Sequence, residues 1–321
     1  MTTNNKSNGD LTVSVRLKNL LSELATSKEL KAKSLISTIF GDCAAPYGGS
    51  VWIESLTAML EPFGINERLV RTSLFRLVES EWLQSIRAGR KSYYQLAPLG
   101  ASQTKLAESI IYHPNDSSWD GQWTLVFLVI KPVNVEARNQ LEQELRWMGF
   151  GNVSNHVWAH PQVGSDAVLD RVKELDLLDK VICMRCANIQ NEDKGFQVDD
   201  REMARRCMPI DGVQEQYRLF IERFQHFQGS VHALADEELL TLRLLLIDQY
   251  RKIALSDPSL PLELLPEIWD GAIAFKLTSD LYWQINQHSD RAFSILVNAA
   301  GVGLVDDFDQ SFSTRFSAEV A

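Results

Sequence analysis

No run of 18 apolar residues occurs in the 321-residue chain, so no segment reads as a membrane span. The opening MTTNNKSNGD lacks the basic-then-apolar plan of a secretory signal. Cysteine is scarce, at four, and only Cys183 and Cys186 share the spacing of a zinc knuckle. No second pair follows, Cys207 is a lone third candidate, and Val181-Ile182-Cys183-Met184 reads as a buried strand where cysteine acts as a small hydrophobe. The expectation is a reduced, cytoplasmic protein without a metal. No Ser/His/Asp or paired-carboxylate constellation stands out, so neither an enzyme nor a cofactor is expected. Gly149 and Gly151 are not a dinucleotide fingerprint, since they follow a helix and precede a strand. His156 falls in an expected strand and His160 just before Pro161, which suits packing better than ligation.

Length and charge frame what is present. At roughly 100–200 residues per domain, two or three domains are expected. The hydrophobic content of 45% suffices for globular cores. The net charge of −10 is uneven: residues 1–100 hold 12 Lys and Arg against 9 Asp and Glu, the other 221 hold 20 against 33. A mildly basic head on an acidic body suits a selective DNA binder that does not cling by bulk charge.

Residues 50–96 carry the strongest local pattern. They read as an amphipathic helix, a tight turn, a second helix rich in arginine, and two short strands joined by a basic glycine turn. That is the order of a winged helix-turn-helix, which sets one helix in the major groove and a hairpin against the backbone. Asn66 suits an N-cap, and Ile65 and Val70 are spaced as a hydrophobic staple. Val70, Leu74, Leu77 and Val78 form the inward stripe. Arg68, Thr72, Arg76 and Glu79 occupy the far side, with Arg71 and Phe75 on one flank and Ser73 on the other. Arginine there can chelate guanine or hold phosphate. Leu83 to Ala88 and Lys91 to Leu96 alternate as strands, and Arg87, Arg90 and Lys91 cluster at the tip, where phosphate contacts belong. Upstream, Ser34 to Phe40 reads as the module's remaining helix, with Gly48 and Gly49 opening the next. A module of this size reads only a few base pairs, so a homodimer on an inverted repeat of double-stranded operator DNA is expected.

Beyond the wing, a connecting helix runs from Pro98 to about Tyr112, and residues 113–118 mark a boundary. Trp123 to Ile130 reads as a strand buried on both faces. A helix from Asn134 to Met148 follows, with Val135, Leu141, Leu145 and Met148 inward. Val153 to Ala159 is read as one strand, Leu169 to Leu178 as a helix and Lys180 to Cys186 as a strand, a β-α-β-α-β order suggesting a small ferredoxin-like α+β unit. From Asp199 the chain reads as helical. Tyr217, Phe220, Ile221, Phe224 and Phe227 form a core face, and the leucine-rich stretch 236–256 is a central buried helix. Pro258, Pro261 and Pro266 fix a rigid loop, more suited to hold a shape than to bury a core. Residues 272–300 return to helix, and the tail after Gly301 is expected to be mobile.

Five stretches carry a resemblance: SLISTIFGD (34–42), RLVRTSLFRL (68–77), WDGQW (119–123), WMGFG (147–151) and YRKIALSDPSLPLELLPEIWDG (250–271). In combination they resemble the PaaX family of bacterial transcriptional repressors, named for control of phenylacetate catabolism, over residues 34–285. The last stretch, long and unusual in composition, is the most specific. The resemblance implies an α+β multidomain protein. Its parts would be a winged helix-turn-helix domain with connecting helix (1–115), a Cas2-like middle domain (116–195) and a helical effector and dimerisation domain (196–321). It also implies an inducer that releases DNA, an acyl-CoA thioester of which phenylacetyl-CoA is the founding case. Such a ligand needs cations for phosphate and an apolar slot for the acyl chain. Arg218, Arg243, Arg251 and Lys252 are candidates for the first role, with Tyr217, Phe220, Tyr250 and Trp269 for the second.

Two rival readings follow from the same residues. Cas2-like folds include metal-dependent nucleases with an aspartate ending the first strand. Here that strand ends at Ile130-Lys131-Pro132 and Asp120 lies before it, so the metal carboxylate is missing. A pure scaffold is the other rival, and the basic wing beside an arginine-bearing helix argues against it.

Overall fold

Val13, Leu17, Leu20 and Leu24 are spaced four, three and four apart and are all buried, which makes one stripe of the first helix, α1 (Asn4–Thr26), a packing face. The computed structural model describes residues 4–89, 91–113, 118–129, 135–187, 199–299 and 310–316. These divide into two units, one of residues 1–114, 217–255 and 270–321, the other of 115–216 and 256–269.

In the first unit α2 (Ala32–Thr38) follows, and the chain then widens into a π-type turn at Ile39–Ala44. Gly48 and Gly49, with φ of 87° and 71°, turn the chain into strand β1 (Ser50–Trp52) and not into the helix expected there. Helix α3 (Ile53–Leu60) starts only after it, because Ser50, Val51 and Trp52 pair with Gln95, Tyr94 and Tyr93 of the wing. Gly64, at φ 70°, makes the turn into α4 (Glu67–Glu79). Strands β2 (Leu83–Ala88) and β3 (Lys91–Leu96) form the wing in a three-stranded sheet of order β1-β3-β2. Helix α5 (Pro98–Ile111) continues from it, as expected.

The second unit opens with β4 (Trp123–Leu128) and α6 (Val135–Trp147). Leu141 and Leu145 point inward as expected and Met148 packs on the same core, but Val135, at the helix start, is exposed. The single strand expected at 153–159 is a hairpin of β5 (Gly151–Ser154) and β6 (Val157–His160), broken by a turn at Asn155 and His156. Helix α7 (Ser165–Glu174) and β7 (Val181–Cys186) complete a β-α-β-β-α-β order. The antiparallel sheet runs β5-β6-β4-β7, the split βαβ arrangement of ferredoxin-like folds. Helices α6 and α7 cover one face through Val126, Leu141, Leu145, Trp158, Val168 and Val172. The expected end of the first strand at residues 130–132 lies outside the described residues.

Helix α8 (Asp200–Cys207) covers the other face, capped by Asp199, whose side chain accepts from the Glu202 amide at 2.7 Å. Leu260, Leu264 and Leu265 of the proline loop are buried with Trp123, Ala159, Ala204, Met208 and Ile210. The loop therefore does bury a core, contrary to the expectation from its prolines, and it groups with the middle sheet. The division by contact thus interleaves the chain, where chain order alone suggests three consecutive segments. Helix α9 (Ile210–Phe224) follows α8.

Helix α10 (Asp236–Ala254) returns to the first unit and is buried almost all round, through Leu239, Leu240, Leu242 and Leu244 to Ile247. It packs on α2, α5 and α11 (Asp270–Asn298). Tyr217, Phe220, Phe224 and Phe227 are buried as expected, whereas Ile221 is only half-buried. The mobile tail expected after Gly301 falls largely outside the described residues. Its described part, 310–316, is docked: the Phe316 amide donates to the Tyr112 carbonyl at 3.0 Å and Arg315 is fully buried.

Candidate nucleic-acid interface

Helix α4 is fixed at its start by Asn66, whose side chain accepts from the Leu69 amide at 3.0 Å. Val70, Leu74 and Leu77 are buried and Val78 half-buried, so one stripe locks the helix to the module. Arg68, Arg71, Thr72 and Arg76 are exposed, and Ser73 is half-buried at the flank. Arg71 is held by Glu67 one turn earlier, Nη2 to Oε1 at 2.5 Å. Both are more than half exposed, so the pair is weak and a phosphate or guanine can displace the carboxylate. The Thr72 hydroxyl donates to the Arg68 carbonyl at 2.9 Å, leaving its lone pairs outward. Phe75 is 68% exposed in the middle of this polar face, too open for core packing and apt for a thymine methyl. The sequence reading placed it on the flank and gave it no role.

The wing register pairs Arg87 with Ser92 and Ala88 with Lys91. Cross-strand partners share a face, so Arg87 and Lys91 bracket the tip from opposite sides. Lys91 lies on the face of Trp52, its Nζ 6.0 Å from that ring's centroid. Gly89 has φ 65°, the left-handed conformation a two-residue hairpin turn requires. Arg90, expected at the wing tip, lies outside the described residues. Strand β1, missed from sequence, stiffens the wing by pairing with β3.

The effector candidates do not gather into one pocket among the described residues. Arg243 is buried and spends its donors on Asp42 Oδ2 (2.6 Å), Asp290 Oδ1 (2.5 Å), Ser289 and the Tyr282 hydroxyl. Burial alone would raise the Asp42 carboxyl, but Arg243 and Arg315 beside it hold it below its ordinary value. Tyr217 and Phe220 each pack tilted against Tyr250 in the core, with centroids 6.3 and 5.7 Å apart. Arg218 is exposed beside Glu222, and Trp269 belongs to the core of the second unit. Arg251 and Lys252 join α10 to the N-terminal module. Arg251 Nε donates to Thr38 Oγ1 at 2.8 Å and Nη2 to the Ser34 carbonyl at 2.9 Å, while Lys252 Nζ reaches the Glu29 carbonyl at 3.1 Å.

Other candidates resolve locally. Cys183 lies with the core under α6 and α7 and Cys186 with the core under α8, so strand pleating puts the pair on opposite faces, unable to chelate one ion. Asp120 is taken by Arg185 at 2.5 Å. Among the described residues no group of three or more His, Cys, Asp or Glu could hold a metal, and no helix is long and apolar enough to cross a membrane.

Comparison with known proteins agrees with this layout. Residues 31–100 match the family described as PaaX-like protein, 116–198 the PaaX protein central Cas2-like domain, and 209–295 the PaaX-like protein C-terminal domain. The transcriptional repressor PaaX of Escherichia coli K12 is 32% identical over 274 residues, covering 84% of this chain and 85% of that protein. A solved structure of the uncharacterized protein Rv0674 from Mycobacterium tuberculosis superposes with a TM-score of 0.53 at 17% identity, covering 81% of this chain and 98% of that one, which supports the fold alone. With its three parts matched in order and a relative of this identity over most of its length, the chain belongs to the PaaX family, as a transcriptional repressor and not an enzyme.

Proposed function

We propose that the chain represses a phenylacetate-type catabolic operon by binding operator DNA as a homodimer, and that an aryl-acetyl-CoA thioester such as phenylacetyl-CoA releases it. The supporting observation is the exposed arginine face of α4 beside a cationic wing. Arg71, Thr72 and Arg76 face the major groove in this reading, and Arg68, Ser73, Arg87, Arg90 and Lys91 meet the backbone. Two copies are needed because one module reads too few base pairs for selectivity.

An effector can release DNA only by binding the incompetent arrangement better than the competent one. DNA then weakens thioester binding by the same factor that thioester weakens DNA binding. Titrating the operator complex with phenylacetyl-CoA, free phenylacetate and unacylated CoA tests the proposal. The thioester is expected to dissociate the complex and the free acid to act poorly. Release by none of the three, or by the acid best, overturns the thioester reading.

A further inference from the structure

A cavity of about 310 Å³ opens in the first unit between α2 with its π-type turn, α5 and α10, beneath Trp82. On the scale by which an apolar cavity of about 150 Å³ takes benzene, it has room for about ten non-hydrogen atoms. Ala107, Ile111, Ile247 and the Trp82 ring supply an apolar wall, and Leu106 and Leu255, both exposed, stand at the rim. Polar residues interrupt it, among them Asp42, Glu108 and Tyr112. The Thr104 hydroxyl is buried with no hydrogen-bond partner among the described residues, and Arg251 and Thr38 both contribute to the lining. A buried hydroxyl without a partner is uncommon enough to need a reason.

We infer that this cavity receives the acyl end of the effector: a compact, largely apolar group of about ten non-hydrogen atoms with a polar oxygen, while any nucleotide portion stays outside for want of room. The inference rests on the effector-released reading above and gives it a site. The walls from α2, Trp82 and α5 belong to elements joined to the DNA-reading helix and wing. Helix α2 packs on α4, Trp82 lies between α4 and the first wing strand, and α5 begins two residues after the wing. The π-type turn at Ile39–Ala44 supplies Gly41 and Asp42 to the wall, and such widened turns concentrate at functional sites.

The same site shows how binding would reach α4. Arg251 of α10 clasps α2 through Thr38 and Ser34, and Arg251 and Thr38 line the cavity. A ligand oxygen competing for either loosens the clasp that holds α2, and with it α4, in its present position. The ligand thereby gains a differential affinity for a second arrangement, the requirement for release.

The test uses the full chain, phenylacetyl-CoA as probe, calorimetry for binding and fluorescence anisotropy for the operator complex. Ala107→Phe fills the cavity from a half-buried position. Ile110→Asp charges its rim at an exposed residue and serves where the first variant proves unstable. Both are expected to retain operator affinity and to need about tenfold more thioester, or greater, for release. Variants that bind DNA normally and respond like the wild type overturn the cavity assignment and leave the effector reading standing. A wild-type protein that neither binds nor responds to the thioester overturns both.

Discussion

His160 is buried at the end of β6, and burial pushes its imidazole down from 6.5 to about 4. Its Nδ1 accepts from the Gln162 and Val163 amides, each at 2.9 Å, a role that only an unprotonated nitrogen can play. Above pH 6.5 neither the folded nor the unfolded chain holds the extra proton, and stability is intact. Between 6.5 and 4 the unfolded chain takes up a proton that the fold refuses, so stability falls, by about 3 kcal/mol in all at 1.36 kcal/mol per unit. Denaturant melts of the wild type and His160→Asn at pH 7.5 and 5 check this. The variant's loss on acidification is expected to be smaller by about 2 kcal/mol, and equal losses would remove His160 from the account. At Asp42, one carboxylate answers two buried guanidiniums, Arg243 and Arg315, and the Tyr112 hydroxyl donates to it at 2.6 Å. The sequence could not show that Arg243 is committed here, because its partner lies 201 positions away.

At the scale of elements, Gly100 at the start of α5 shows why the wing and its connecting helix are one piece. A Cβ there would lie 2.0 Å from the Trp82 carbonyl oxygen, which also accepts from the Ala97 amide. Gly100→Ala must push the helix off the wing, and a stability loss of about 1–3 kcal/mol is expected, with weaker operator binding. A melting temperature within error of wild type would show that the junction yields freely. What was legible in sequence were elements whose signals are local. Helix α4 declared itself by Asn66 and a four-residue stripe, and the wing by alternation around Gly89. Strand β1 was hidden because its reason is Tyr93 and its neighbours, some forty residues later. The β5–β6 hairpin was hidden by its turn, Asn155-His156, which carries neither glycine nor proline. Helix α1 was legible in the spacing of Val13, Leu17, Leu20 and Leu24 and was passed over. The proline loop misled because rigidity was read as shape alone, whereas its leucines pack on Trp123 and Ala159.

The molecule as a whole belongs to a repressor family, and in the proposed function α4 and the wing read its operator. The exposed cations of that surface were legible in sequence; the pocket was not, because it is assembled from α2, α5 and α10, far apart in the chain. Quantitative footprinting and gel shifts on DNA from the chain's own upstream region test the claim most directly. Wild type is expected to protect two half-sites one turn of roughly 10 bp, or a multiple, apart. Arg76→Ala should cost about 1–3 kcal/mol and relax the requirement at one base position. Arg87→Ala and Arg90→Ala should weaken all sequences alike and flatten the salt dependence. A footprint left unchanged by all three substitutions together would contradict the account.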